Sequence, residues 1–137
     1  MSNELHYITN NQKEVLEHLK QNNKSIYVAE LNGTDINTAA DYLKAIDKAF
    51  KFPNLTSANY KLNFDGYLDW IRDLSWLKAD GYALIINHFA DFMKNDIKNK
   101  KEIIEDFKQI IFPWWDGEVE HCMVGGKAKP FNVYLLE

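Results

Sequence analysis

The sequence predicts an α/β domain in which helices pack on a small three-stranded parallel sheet. Three runs rich in β-branched, aromatic and aliphatic residues indicate strands, at residues 25–31, 82–86 and 131–136. Between them, apolar residues recur at helical spacing. Strands that alternate with helices favour a parallel sheet with the helices packed across it.

Length and composition indicate how many domains the chain forms and which classes of partner it can bind. With 137 residues, 46% of them hydrophobic, the chain can bury the core of one domain without disulfides or metals. The net charge of −4 and the pI of about 5.6 argue against a general nucleic-acid or anionic-membrane binder, because such proteins need a basic surface.

The cysteine content and the lack of targeting patterns indicate the cell compartment in which the protein works. Cys122 is the only cysteine, so no internal disulfide can form and a reducing environment fits best. The first residues lack a basic stretch followed by an apolar one, and no apolar run is long enough to span a bilayer. We therefore expect a cytoplasmic protein.

The N-terminal part predicts a short helix and then the first strand. Residues 12–20 carry aliphatic side chains at helical spacing after an Asn pair that could cap the helix. The strand at 25–31 ends at Asn32 and Gly33, which are typical turn residues.

A second, amphipathic helix follows that turn. Thr34 or Asp35 could cap its start, and Phe52 and Pro53 should stop it. Its apolar residues keep a 3.6-residue period and are expected to face the core: Ile36, Ala39, Ala40, Leu43, Ile46, Ala49 and Phe50. Residues 54–62 then form a long polar loop, where binding residues commonly lie.

Residues 63–74 predict a helix with one apolar and one acidic face, capped by Asn63. Asp65, Asp69 and Asp73 are spaced i, i+4, i+8 on the acidic side, with Arg72 the only cation among them. Like charges at this spacing oppose one another, so the row does not serve helix stability. A basic partner would explain it, although a merely solvated face is the alternative. The apolar face holds Phe64, Tyr67, Leu68, Ile71 and Leu74.

The second half of the chain predicts a buried strand and a further helix. The nearly continuous apolar run 82–86 is typical of a strand covered on both faces. Residues 87–96 suggest a short helical turn, and a longer helix at 98–112 should end at Pro113. The segment 118–130 is expected to be a loop in which the two adjacent glycines form a flexible turn.

Two tryptophans and the cysteine in this half are expected to have structural roles. Trp114 and Trp115 should pack over the edge of the core, with a partner contact as the minor alternative. Cys122 follows His121, but neighbouring side chains rarely face one another, so a buried and inert thiol is expected.

A search for catalytic chemistry finds little. The sequence has no glycine-rich phosphate loop, no paired Cys and His zinc spacing and no nucleophile elbow. His88 and Asp91 follow the buried strand and, with Asp65 and Asp69, could hold a divalent metal, but carboxylates at i, i+4 are weak grounds for such a site. We expect no catalytic residue, metal or cofactor.

Several short motifs follow one another in a fixed order along the chain. They are 27–31, Asn32-Gly33, Phe52-Pro53, Asn63-Phe64-Asp65-Gly66, Asp69, Asp73-Leu74 and 130–136. This ordered set resembles the barstar family, the intracellular inhibitors of barnase-like ribonucleases. The resemblance extends from Ser25 to the C-terminus, which implies a barstar-like domain at 25–137 and an N-terminal extension with a short helix at 1–24.

The resemblance implies an immunity protein or antitoxin that blocks the active site of a cognate basic nuclease, most simply a ribonuclease, in a 1:1 complex without contacting nucleic acid itself. Asp65 and Asp69 would be the two central carboxylates, and Asn63 would hold the start of their helix. Neighbouring contacts would come from Asp73, Tyr60, Leu68 and Trp76.

The sequence also departs from the family pattern. The loop between Pro53 and Asn63 is long and lacks the usual glycine, Leu68 replaces an aromatic residue, and Gln109 lies where some members have an acid. Residues 118–129 form an insertion. These differences leave open whether the target is a self-made secreted ribonuclease or a toxin delivered by a neighbouring bacterium.

Two other functions stay open from the sequence. One is a small metal-dependent enzyme that uses Asp65, Asp69 and His88. The other is a protein-interaction module that inhibits nothing.

Overall fold

The structure is a computed structural model that describes residues 3–9, 13–22, 25–53 and 63–137. In these ranges four parallel strands form one sheet in the order β1-β4-β3-β2. The strands are β1 Leu5–Ile8, β2 Ile26–Asn32, β3 Gly81–Asn87 and β4 Phe131–Leu136. The α/β class and the parallel sheet are thus confirmed.

The prediction of three strands was one short. The additional strand, β1, belongs to the N-terminal segment and extends the sheet beside β4, from Leu5 opposite Val133 to Ile8 opposite Leu136. Its four residues carry no repeated alternation that would mark a strand by itself. The pairing depends on a partner strand at the other end of the chain.

The strand predicted to be covered on both faces lies between β2 and β4. Residues 81–86 of β3 are all buried, as expected for an inner strand of a parallel sheet. Leu84 lies opposite Ala29 of β2 and Val133 of β4 in this register. This inner strand contributes side chains to both hydrophobic clusters of the protein: Leu84 belongs to the larger one and Ile85 to the smaller one.

Helices pack on this sheet. Their bounds are α1 Lys13–Asn22, α2 Ala39–Ala49, α3 Phe64–Ile71, α4 Ile97–Asp106 and α5 Val119–Cys122. No described helix is long and apolar enough to cross a membrane.

Helix α2 begins later than predicted. Neither Thr34 nor Asp35 caps it; both lie in a 3-10 turn that follows β2. Thr38 is the cap, since its hydroxyl accepts the Asp41 amide hydrogen at 3.1 Å while the Asp41 carboxylate accepts the Thr38 amide at 3.2 Å. This reciprocal capping box satisfies backbone amides at the helix start.

The C-terminal helix continues beyond the predicted stop at Pro113. From α4 the backbone runs through the π-type segments Phe107–Ile111 and Trp114–Glu118, and it kinks at Gly117, whose dihedrals are not helical, before α5 begins. Pro113 itself has helical dihedrals, with φ −59° and ψ −36°. A widened π-type backbone makes room for the proline ring, which would clash with the carbonyl four residues earlier in a regular α-helix, although the proline nitrogen still has no hydrogen to donate.

Two further segments were predicted from short patterns. Residues 88–95 form hydrogen-bonded turns, in line with the short helical turn predicted there, and Phe92 and Met93 are fully buried. The segment 118–130 is helical as far as Cys122 and irregular only beyond it.

Candidate functional site

The apolar face of α3 anchors the acidic helix to the core. Tyr67 and Ile71 are fully buried, and the Tyr67 hydroxyl lies 2.6 Å from the Tyr42 hydroxyl of α2. Burial raises the pKa of both phenols, so they stay neutral and can share this hydrogen bond. The opposite face of α3 is therefore held in a defined direction.

Asn63 caps the start of α3, as predicted. Its side-chain oxygen accepts the amide hydrogen of Gly66 at 2.7 Å. Asp65 lies in the first turn, where the positive end of the helix dipole favours a carboxylate. The cap therefore fixes the turn from which Asp65 projects.

Two of the three predicted carboxylates lie on the exposed face of α3. Asp65 and Asp69 are both exposed, one helical turn apart, and the Asp69 side chain retains 78% of its accessible surface. Asp73 is exposed too, but it lies beyond the end of the helix. The predicted three-residue row on one helix was therefore wrong at its last member.

The early end of α3 has a local cause at Leu74. Its backbone is left-handed, with φ 55°, and its side chain is fully buried. A regular helix cannot contain that conformation, which is unfavourable for leucine and is offset by burial in the core. The Asp73 carboxylate accepts the Ser75 amide hydrogen at 3.1 Å in the resulting turn.

Arg72 contacts one of the candidate acids. Its Nε donates to the Leu68 carbonyl at 3.0 Å, its terminal nitrogen lies 3.4 Å from the Asp69 carboxylate, and its guanidinium stacks over Trp114 at 5.5 Å. The spacing of Asp69 and Arg72 was visible in the sequence. The approach of Trp114 was not, because the helix was expected to stop before it.

The remaining predicted contact residues face the core more than the acidic surface. Leu68 is half-buried against the core. The half-buried Trp76 donates its indole N–H to the Phe50 carbonyl at 2.9 Å and packs edge-on against Trp70. Tyr60 lies outside the described residues, as does the whole predicted loop 54–62.

A cleft of about 470 Å³ extends from the C-terminal end of the acidic face, and sequence reasoning did not find it. Its lining comes from the end of α3 and the turn that follows, from the C-terminal helix and from the segment after α5. The lining residues are Asp69, Arg72, Asp73, Ser75, Trp114, Trp115, Val119, Met123, Val124, Gly125, Gly126, Lys127 and Lys129.

The geometry offers little for metal chemistry. Within the described ranges, no group of three or more His, Cys, Asp or Glu side chains is placed to hold a metal ion. Asp91, considered above as a ligand, instead lies 3.5 Å from the Lys94 ammonium.

The sequence also gave predictions for two tryptophans and the cysteine near the end of the C-terminal helix, and one of these predictions was wrong. Trp115 is buried in the core and Trp114 is half-buried, consistent with the predicted packing role. Cys122 is exposed, so the expectation of a buried thiol was wrong. It lies at the end of α5, in a segment that was expected to be a loop.

Comparison with known proteins assigns the chain to a family. A search of curated proteins found no match to it. The family described as Barstar (barnase inhibitor), in contrast, matches residues 26–134, which span β2 to β4 and include α3 with both of its exposed carboxylates. The chain therefore belongs to the barstar family, whose members are inhibitors of barnase-like ribonucleases.

Proposed function

We propose that this protein is an immunity protein or antitoxin that binds one basic nuclease toxin and covers its active site with α3. The observation that carries the proposal is the placement of Asp65 and Asp69. Both carboxylates are exposed on a helix whose other face is fixed in the core. Family membership supports an inhibitor rather than an enzyme.

Charge supplies the physical reason for the choice of partner. The active site of a ribonuclease binds phosphate groups with basic side chains, and a pair of carboxylates one helical turn apart can occupy the same positions. The net charge of −4 favours rapid encounter with a basic protein. Asp65 and Asp69 are the proposed central contacts, and Asp73 is a neighbouring one.

The proposal also names the target, the stoichiometry, the place of action and the secondary contact residues. The target is proposed to be a ribonuclease, the complex 1:1, and the place of action the cytoplasm. We retain 25–137 as the inhibitory domain and 1–24 as an extension. Asn63 is proposed to act as the helix cap, with Leu68, Trp76 and Tyr60 as secondary contacts of the complex.

An inhibition assay tests the proposal. Two purified ribonucleases serve as probes: barnase, and the nuclease encoded nearest to the gene of this protein. The expected result is stoichiometric loss of RNA cleavage by at least one of them when the protein is added. Full cleavage by both enzymes at micromolar inhibitor would overturn the proposal and leave the interaction module as the better account.

A further inference from the structure

The segment after α5 forms a turn whose ends are both bonded to the C-terminal helix. The Gly126 amide donates to the Met123 carbonyl at 2.9 Å, closing the turn. Beyond it, the Ala128 amide donates to the Glu120 carboxylate at 2.9 Å, and the Lys129 amide donates to the Trp115 carbonyl at 3.1 Å. We call residues 123–126 the apolar turn.

The two glycines of the apolar turn fit its shape. Gly125 has φ +75°, a conformation that other residues adopt at a cost. A Cβ at Gly126 would lie 2.3 Å from the carbonyl oxygen of Val119, so only glycine lets the turn pack this closely on α5. The turn is therefore pre-shaped in the free protein, and it loses little conformational entropy if a partner covers it.

The turn presents apolar side chains to solvent. Val124 is fully exposed and Met123 retains 55% of its accessible surface. Neither exposure benefits the free protein. Both residues line the same cleft as Trp114 and Trp115. An apolar patch of this kind beside charged residues is typical of an interaction surface.

The cleft is continuous with the acidic face. Asp69 and Asp73 line the same cleft as the apolar turn, and both carboxylates are exposed. Of the three basic residues in the lining, Arg72 contacts Asp69 and the Lys129 ammonium donates to the Ala79 carbonyl at 2.8 Å, whereas Lys127 is exposed. A partner that docks on the acids of α3 would therefore meet the apolar turn without leaving the same surface.

We propose that the apolar turn is a second anchor for the same nuclease, and that the cleft receives a loop of the nuclease that carries a basic residue next to an apolar one. The basic residue meets Asp69 and Asp73, and the apolar residue packs on Met123 and Val124. This inference depends on the proposed nuclease inhibition. It assigns to the apolar turn a share of the slow dissociation of the complex, in addition to the share of the central acids of α3, and no part in its association rate.

The test measures association and dissociation rates with whichever of the two nucleases is inhibited more strongly. The variant is Met123→Gln with Val124→Ser, and Ile97→Ser is the matched control, because Ile97 is an exposed apolar residue outside the cleft. The expected result is dissociation accelerated by about tenfold or more, with the association rate and its salt dependence unchanged.

Other outcomes separate the two proposals. Dissociation as slow as that of the control variant would overturn the second anchor and leave nuclease inhibition intact. Failure of the unaltered protein to bind either nuclease would overturn both. Because both substituted side chains are exposed, an unchanged thermal midpoint verifies that the variant is folded.

Discussion

The indole N–H of Trp115 donates a hydrogen bond of 3.1 Å to the backbone carbonyl of Ile71, the last residue of α3. Trp115 itself is buried in the core. The bond thus satisfies a carbonyl at the helix end, where intrahelical partners run out. It also connects the C-terminal helix directly to the element that carries Asp65 and Asp69.

Loss of this bond should destabilise the protein. Trp115→Phe leaves the Ile71 carbonyl without its donor and also shrinks a buried ring, so we expect a loss of about 2 to 4 kcal/mol in the free energy of unfolding. Trp114→Phe is the matched control, because the buried Trp114 Nε1 has no hydrogen-bond partner within the described part of the chain. Urea unfolding measures both. Equal losses in the two variants would argue against a special role for the bond to Ile71.

The cap at Asn63 gives a second prediction. Asn63→Ala leaves the Gly66 amide unsatisfied and should lower the free energy of unfolding by about 1 kcal/mol. Asn63→Ser and Asn63→Asp, which keep an acceptor at this position, should retain most of that stability. If all three variants unfold at the same urea concentration, the cap contributes nothing measurable.

Asp106 predicts a pH dependence of stability. It is largely buried, and desolvation, followed by repulsion from Glu102 and Glu105, raises the pKa of its carboxyl above the usual value. A raised pKa in the folded state means that the contribution of Asp106 is most favourable below the unfolded pKa and is lost as the pH rises through the folded pKa.

We therefore expect Asp106→Asn to stabilise the protein at pH 7 and to have little effect under acidic conditions in which Asp106 is already neutral. Thermal midpoints across the acidic to neutral range measure this. Glu14→Gln is the control for removal of an exposed charge on another helix, because Glu14 is not among the groups that raise the pKa of Asp106. A variant that is equally destabilised at every pH would show that the carboxylate makes a favourable contact in its charged form.

The features that were predictable from sequence depend on local patterns. The buried run of β3 and the cap of α3 by Asn63 are each set by residues within one element, so composition and spacing were enough to place them. The exposed carboxylates at Asp65 and Asp69 follow from the same helical periodicity.

The features that were missed depend on residues distant in sequence or on local exceptions. β1 exists because Leu5 to Ile8 pair with β4, at the opposite end of the chain. Leu74 has a left-handed backbone and a buried side chain, and Asp73 lies in the turn before it, beyond the end of α3 at Ile71. Pro113 lies between two π-type segments, so it fails to stop the helix that leads to the cleft.

The most direct test of the central claim is a calorimetric titration of the inhibited nuclease with the protein and with its Asp65→Asn, Asp69→Asn variant. Glu14→Gln with Asp80→Asn is the matched control, since it removes the same charge from exposed positions outside α3. We expect tight 1:1 binding by the unaltered protein and the control. The variant should bind at least about a hundredfold more weakly. Losses of this size are known for charge pairs in the complex of barnase with barstar, so the magnitude is taken from that complex. Equal affinity of all three proteins would contradict inhibition through the acidic face of α3.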